Sequence, residues 1–418
     1  MPEAAPSKNR IVLFICLVMF LDALGFGLIL PIMPALIDEL SELNNSAGAT
    51  VAGYLLLTFA AMQFLFAPIL GGLSDRYGRR LVLLGSLLGY ALDYFIMALA
   101  PSLLFLFVAR MVSGVFGATF AAANACITDI STVAERAKFF GFTSASVGLG
   151  FVFGPVLGGA LGEINVRLPF IAAGILVLSV FVYGWFYLPE TLKPANRRAF
   201  SIARANPIGS LISVSRYRVV FTIMAAVFCI QLANQSYSSI WPFYVIEVTG
   251  WSELLIGLTV GFYGMLLVIV QGGLIGPVTQ RFGHVKPVYF SVISGVVSFM
   301  ILAFAASGWG IYIGILVGAL AGFAFPAMQT LMTARAPENA QGELQGAIMS
   351  LYSISAIIGP IVMALIFSAH TDETGLYMPG APFILAAGLI VLSLITFTVA
   401  IRLSKGEATA EPEMARSD

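Results

Sequence analysis

The stretch Gly71-Gly72-Leu73-Ser74-Asp75-Arg76-Tyr77-Gly78-Arg79-Arg80 lies between two apolar runs, Val51 to Leu70 and Leu81 to Ala100. Each run is long enough to cross a bilayer, which takes about 20 residues of helix. A connection this short makes the two helices antiparallel neighbours. It also gathers one acid and three arginines at a membrane face. Gly71 and Gly78 allow a tight turn or a close approach of another helix.

Working outward, the composition supports the same solvent. The 418-residue chain is 59% hydrophobic and 10% charged, with a formal net charge of zero. A soluble domain carries about 25% charged residues, so most of this surface must face lipid. The zero net charge gives no footing to nucleic-acid binding. The apolar runs are helix-length, unlike the roughly 10-residue alternating segments of an outer-membrane barrel. Cys16, Cys126 and Cys229 lie singly inside apolar runs and read as small buried hydrophobes. His284 and His370 form no ligand pair, so no metal site is expected. The run from Ile11 to Pro34 is too long for a signal-peptide core and reads as a retained first helix.

Twelve runs are counted, at 11–34, 51–70, 81–100, 103–126, 139–160, 168–188, 219–243, 254–275, 287–306, 309–333, 344–368 and 381–402. With an even count, both termini share a side. Nineteen of the 21 Lys and Arg residues fall on that side; Arg167 is opposite and Arg110 lies inside a helix. By the positive-inside rule both termini are cytoplasmic. The hydrophilic stretch 189–218 divides the runs six and six. The expected organisation is therefore a first six-helix bundle over 1–188, a cytoplasmic linker over 189–218, a second bundle over 219–402 and a disordered tail over 403–418.

The two halves repeat. A shift of 205 residues places Gly71 on Gly276, Arg76 on Arg281, Gly78 on Gly283, Gly117 on Gly322, Asn124 on Gln329, Gly141 on Gly346 and Gly154-Pro155 on Gly359-Pro360. The fold class is thus all-α: a membrane protein of 12 transmembrane helices in two pseudo-symmetric six-helix bundles.

Three ionisable residues fall within the spans of the first half. Asp22 lies roughly 16 Å along the first helix at 1.5 Å per residue, near mid-bilayer. A carboxylate there costs about 2.5–3.5 kcal/mol on insertion scales, so it faces a cavity or a partner. Asp93 on the third helix and Arg110 on the fourth reach comparable depths. They form either a structural ion pair or a set in which Arg110 exchanges partners with Asp22, Asp93 and substrate. The second half has no acid or base deep in a helix. Its polar residues are amides and hydroxyls: Gln231, Asn234, Gln235 and Ser238 on one face of the seventh helix, followed by Trp241, with Gln271, Gln329 and Tyr352 elsewhere. The expected division has the first half handling protons. Substrate contacts come from Phe26, Gln63, Asn124, Gln231, Asn234, Gln235, Trp241, Gln329 and Tyr352, with packing between helices as the competing role of each.

Several motifs point one way. The pattern Gly71-x-Leu73-x-Asp75-Arg76-x-Gly78-Arg79-Arg80 resembles the loop between helices 2 and 3 of major facilitator superfamily transporters. Arg110-x-x-x-Gly114-x-x-Gly117 resembles the helix 4 motif of its proton-coupled members, with Ser113 where glutamine is frequent. Gly150-x-x-x-Gly154-Pro155-x-x-Gly158-Gly159 matches the helix 5 motif of the exporting, antiport branch. Together with Leu21 to Pro34 and Leu92-Asp93-Tyr94, the chain resembles the tetracycline-efflux group of twelve-helix drug:H+ antiporters.

That resemblance implies a proton-coupled exporter of a small amphipathic organic compound in the bacterial inner membrane, working by alternating access without a cofactor. It implies a chain that acts as a monomer, without enzymatic activity. Asp22, Asp93 and Arg110 would couple protons. Gly71, Asp75, Arg76, Gly78, Arg79, Arg80 and Asp129 would form a gating loop, Asp75 meeting the N-terminus of the eleventh helix and the arginines meeting Asp129. Gly150, Gly154, Pro155, Gly158 and Gly159 would bend and pack the fifth helix. Tetracycline exporters carry a membrane-embedded aspartate in helix 9, whereas Val292 to Ser298 has no acid here. A general drug therefore fits the resemblance more directly than a tetracycline–metal chelate. The rival readings are an importer or metabolite facilitator on the same fold and a non-transporting membrane sensor.

Overall fold

The computed structural model describes residues 8–117, 119–197, 207–337, 340–372 and 376–414. Arg198, Arg204 and Arg416, counted above among the basic residues, lie outside them. Twelve helices are long and apolar enough to cross a membrane. We number them α1 (Lys8–Ser41), α2 (Asn45–Tyr77), α3 (Arg79–Ala98), α4 (Leu103–Ile130), α5 (Lys138–Ile164), α6 (Leu168–Tyr187), α7 (Arg218–Ser239), α8 (Glu253–Phe282), α9 (Val285–Ala303), α10 (Gly308–Thr333), α11 (Gln341–Ala369) and α12 (Ala381–Ser404).

The helices run further than their apolar cores because polar ends are capped. Asn44 accepts the Ala47 N–H at 2.8 Å and starts α2 six residues before the apolar run. The helix that carries α5 begins at Val133, where Glu135 accepts the Thr132 backbone N–H at 2.9 Å and its hydroxyl at 2.8 Å. The helix of α12 continues to Met414, through the first part of the tail expected to be disordered. That extension is rich in Ala and Glu, which favour helix. A few boundaries move inward, by one to three residues at the ends of α3, α6 and α9 and by four at α7. The seventh run was read through to 243, but α7 ends at Ser239 and a separate helix, Trp241–Thr249, follows. Pro242 lacks an N–H and blocks continuation, yet suits the first turn of a new helix.

By contacts the chain forms two units. The first comprises Met1–Asn206 with Val245–Met265, the second Pro207–Tyr244 with Leu266–Asp418. In the first, α1 packs chiefly on α5, α2 on α4, and α3 on α6 and α4. In the second, α7 packs on α11 and α12, and α9 on α10 and α12.

The repeat extends to irregularities. Helix α4 is interrupted at Gly117, between Leu103–Phe116 and Thr119–Ile130. In α10 a 3₁₀ turn, Leu320–Phe323, contains Gly322, the residue 205 positions on. Helix α8 contains a π-helical turn, Ile269–Leu274, around Gly272-Gly273.

Candidate functional site

In the first unit, α1, α3 and α4 bring six polar side chains together. Arg110 Nη2 donates to Asp93 Oδ2 at 2.5 Å, both residues being buried. The same guanidinium lies 6.0 Å from the Phe59 ring centre and touches the Met97 sulfur. Asp93 Oδ1 and Arg110 Nε have no hydrogen-bond partner among the described residues. The half-buried Asp22 faces the Tyr90 hydroxyl, and Tyr90 in turn faces Thr119. Tyr94, one helical turn on, reaches Gly25 of α1 and lies near Asp22, Asp93 and Arg110. A Cβ at Gly25 would overlap the Tyr94 hydroxyl. Tyr90 and Tyr94 were not singled out from the sequence. Their signal was available: two phenols four residues apart, on the helix face that carries an embedded acid.

The substrate-contact candidates of the first unit have mixed settings. Phe26 is 38% exposed and sits edge-on to Phe151 at 6.0 Å. Gln63 donates from Nε2 to the Gly117 carbonyl at 3.0 Å, satisfying an oxygen released where α4 breaks. Asn124 is half-buried.

Those of the second unit are spread over several helices. Gln235 lies over Gly359 of α11 and accepts the Ser238 hydroxyl at 2.9 Å. Gln231 is half-buried and Asn234 exposed on the same helix. Gln329 Nε2 donates to Gln345 Oε1 at 3.4 Å, and Tyr352 sits edge-on to Phe325 at 5.4 Å. Gln345 was missed because it lies at the end of an apolar run. Trp241 is only 3% exposed, enclosed by Tyr237, Tyr244 and Phe383. Gln271 is exposed within the π-helical turn of α8.

The loop from Gly71 to Arg80 is held from three directions. Arg79 donates to Asp75 at 2.5 Å, to Asp129 at 3.2 Å and to Ser74 at 3.2 Å. Arg76 is exposed, and no Cβ contact constrains Gly71. Arg80 donates to the Trp185 carbonyl at 2.5 Å. Glu190, which follows α6, accepts the backbone N–H groups of Arg79 at 2.8 Å and Arg80 at 3.3 Å. It thereby caps α3, which has no cap from its own sequence. Gly78 is required twice over. Its φ of +116° favours glycine, and a Cβ there would overlap the Glu190 carboxylate. Thr191 completes the grip through Asp129 at 3.5 Å and Cys126 at 3.4 Å.

The glycines of α5 lie against backbone. A Cβ at Gly150, Gly154 or Gly158 would meet the carbonyls of Phe20, Leu24 and Leu28 in turn, four residues apart on both helices. Gly159 lies on the Glu253 carbonyl, and Gly257 of α8 on the Pro155 carbonyl. Such small-residue seams let helix backbones touch within lipid.

The family model of the Major Facilitator Superfamily matches residues 15–360. The chain is similar to the tetracycline resistance protein, class C, of Escherichia coli, at 36% identity over 387 residues, covering 93% of this chain and 96% of that protein. It is similar to multidrug resistance protein 2 of Bacillus subtilis (strain 168), at 26% identity over 417 residues, covering 98% and 100%. A bacterial homologue of the human lysosomal transporter Spinster has a similar fold. Its inward-facing, occupied structure superposes with a TM-score of 0.75 at 16% identity, covering 96% of this chain and 98% of that one.

Proposed function

The chain belongs to the major facilitator superfamily and, within it, to the family of the tetracycline resistance proteins, and from that premise we propose that it exports a small amphipathic drug in exchange for protons. It is a multi-pass membrane protein of the bacterial inner membrane with a small-molecule substrate. In our reading both termini are cytoplasmic, the protein acts as a monomer and carries out no enzymatic reaction. The proton gradient drives it without a cofactor.

The observation that carries this reading is the enclosed polar cluster of the first unit. A carboxylate–guanidinium pair with one unpartnered atom on each side can accept a further hydrogen bond at Asp93 Oδ1 and donate one from Arg110 Nε. Asp22 stands next to two phenols at the edge of that cluster. Proton arrival at Asp22 or Asp93 changes the charge that Arg110 must balance, and that change biases one conformation over another. In the second unit, Gln235, Gln329, Gln345 and Tyr352 offer neutral hydrogen bonds beside aromatic and apolar surface, which suits an amphipathic organic compound. Asp75, Arg79, Asp129 and Glu190 brace the cytoplasmic loop, which must rearrange when the inner side opens.

The test is a susceptibility screen in an efflux-deficient host, comparing this protein with its Asp22→Asn variant at equal expression. Protection against at least one compound, lost in the variant, is expected. Unchanged protection in the variant would remove Asp22 from the mechanism. No protection against any compound would remove drug export.

A further inference from the structure

Asn45 occupies the first turn of α2, and Glu247 the last turn of the short helix Trp241–Thr249. They are 202 residues apart in sequence, yet Asn45 Nδ2 donates to Glu247 Oε2 at 2.7 Å. Both side chains are half-buried. The carboxylate stands beside the N-terminal turn of α2, where the helix dipole favours negative charge.

The contact has a platform beneath it. Residues Val245–Met265 group with the first unit, although the 205-residue repeat places them in the second half of the sequence. They are seated there by backbone: Gly159 on the Glu253 carbonyl, Gly257 on the Pro155 carbonyl and Gly261 against Val152 and Val156. At this end of the molecule, parts of both sequence repeats are therefore packed on one another, and Asn45–Glu247 is a polar contact between them.

We propose that Asn45 and Glu247 form an outer latch that must part for substrate to leave, an inference that rests on the export reading and its orientation. A charge-assisted hydrogen bond at a helix end suits the task. It is directional enough to hold one closed arrangement, and water replaces both partners when it opens. The glycine seam below it is close-packed and short-range, so separation there follows the latch. The two residues are gating positions and do not touch the proton-carrying cluster.

The test joins Asn45→Cys and Glu247→Cys in a chain whose Cys16, Cys126 and Cys229 are replaced by alanine, with a protease site placed in the linker. Oxidation is expected to hold the two fragments together on a non-reducing gel, and neither single-cysteine chain should do so. Uptake of tetracycline and of ethidium into inverted vesicles, measured before and after oxidation, is expected to fall at least tenfold and to return with reductant. A folded double variant that does not crosslink, or one that crosslinks and transports at its unoxidised rate, overturns the latch. If the unoxidised parent moves neither probe, export of these compounds fails. The crosslink, read without substrate, then decides by itself whether the two ends meet.

Discussion

Asp93 and Arg110 act as one electrostatic object, because each is buried and each is the other's counter-charge. Asp93→Asn leaves a guanidinium enclosed without its partner, which destabilises by about 3–5 kcal/mol. The double variant Asp93→Asn/Arg110→Gln removes both charges and is expected to recover most of that stability, with proton coupling still absent. Thermal unfolding in detergent, read beside substrate-driven proton movement, separates the two effects. A double variant no more stable than the single one would count against the paired account. Glu190 makes a different prediction, since it acts on backbone. Glu190→Ala removes a helix cap, a loss of about 0.5–2 kcal/mol, while Glu190→Gln keeps an acceptor and should retain transport. Glu135 supplies the pH case. The Lys8 ammonium, ahead of the two hydrogen bonds from Thr132, holds its carboxyl down to about 2. A depressed acid stabilises the fold above its unfolded pKa of 4.5 and loses that contribution as pH falls from there toward 2. Hydrogen exchange in the first turn of α1 and in the first turn of the helix that begins at Val133 should therefore be constant from neutral pH to about 5 and quicken, beyond the intrinsic pH trend, in that window.

Among the helices, α5 is the one whose sequence was read furthest. Its glycines at four-residue intervals announced close packing, and the structure supplies the partners: carbonyls of α1 on one side and α8 on the other. The partners were not legible, because a glycine records that something approaches without recording what. The same limit applied to Gln63, read as a substrate contact and found bonding the carbonyl freed at Gly117. Pattern alone does not show that α4 breaks there. Trp241 likewise lies on the apolar continuation of α7, but a new helix starting near Pro242 turns it into an aromatic core. The seam yields a prediction of its own. Gly257→Val would drive a branched side chain into the Pro155 carbonyl, and overpacking of this kind typically costs about 1–3 kcal/mol. A pH gradient imposed across vesicles should then decay faster than with the parent protein, because the close-packed contact is forced apart. Decay at the parental rate, with the variant folded and abundant, would show that the seam does not limit proton leak.

Across the whole chain, the division of charge was legible and the long-range contacts were not. Hydropathy set the twelve spans and a constant offset set the repeat, because both are one-dimensional properties that lipid and symmetry impose on sequence. Asn45–Glu247 and Glu190–Arg79 join residues 202 and 111 positions apart and leave no local trace. The charge division has a consequence for the substrate. Between their first and last turns, spans α7 to α12 carry neither acid nor base apart from Arg402 near the end of α12. No group of three or more His, Cys, Asp or Glu able to hold a metal ion occurs among the described residues. On the reading that the substrate meets the amides and phenols of the second unit, we expect it to travel without a divalent cation. With a pH gradient imposed across inverted vesicles, uptake of a transported compound that is able to chelate magnesium, such as tetracycline, should proceed at an equal rate, within about twofold, whether magnesium or a chelator is present. A relative that depends on a chelated substrate would slow under chelator, and so would this protein if a metal ion travelled with its cargo. In the same vesicles, adding the compound should move protons outward as it enters, and Asp22→Asn should abolish both that exchange and the gradient-driven uptake. Uptake that stops on removing magnesium would return the second unit to the metal-chelate reading and require an acidic ligand that its spans do not supply.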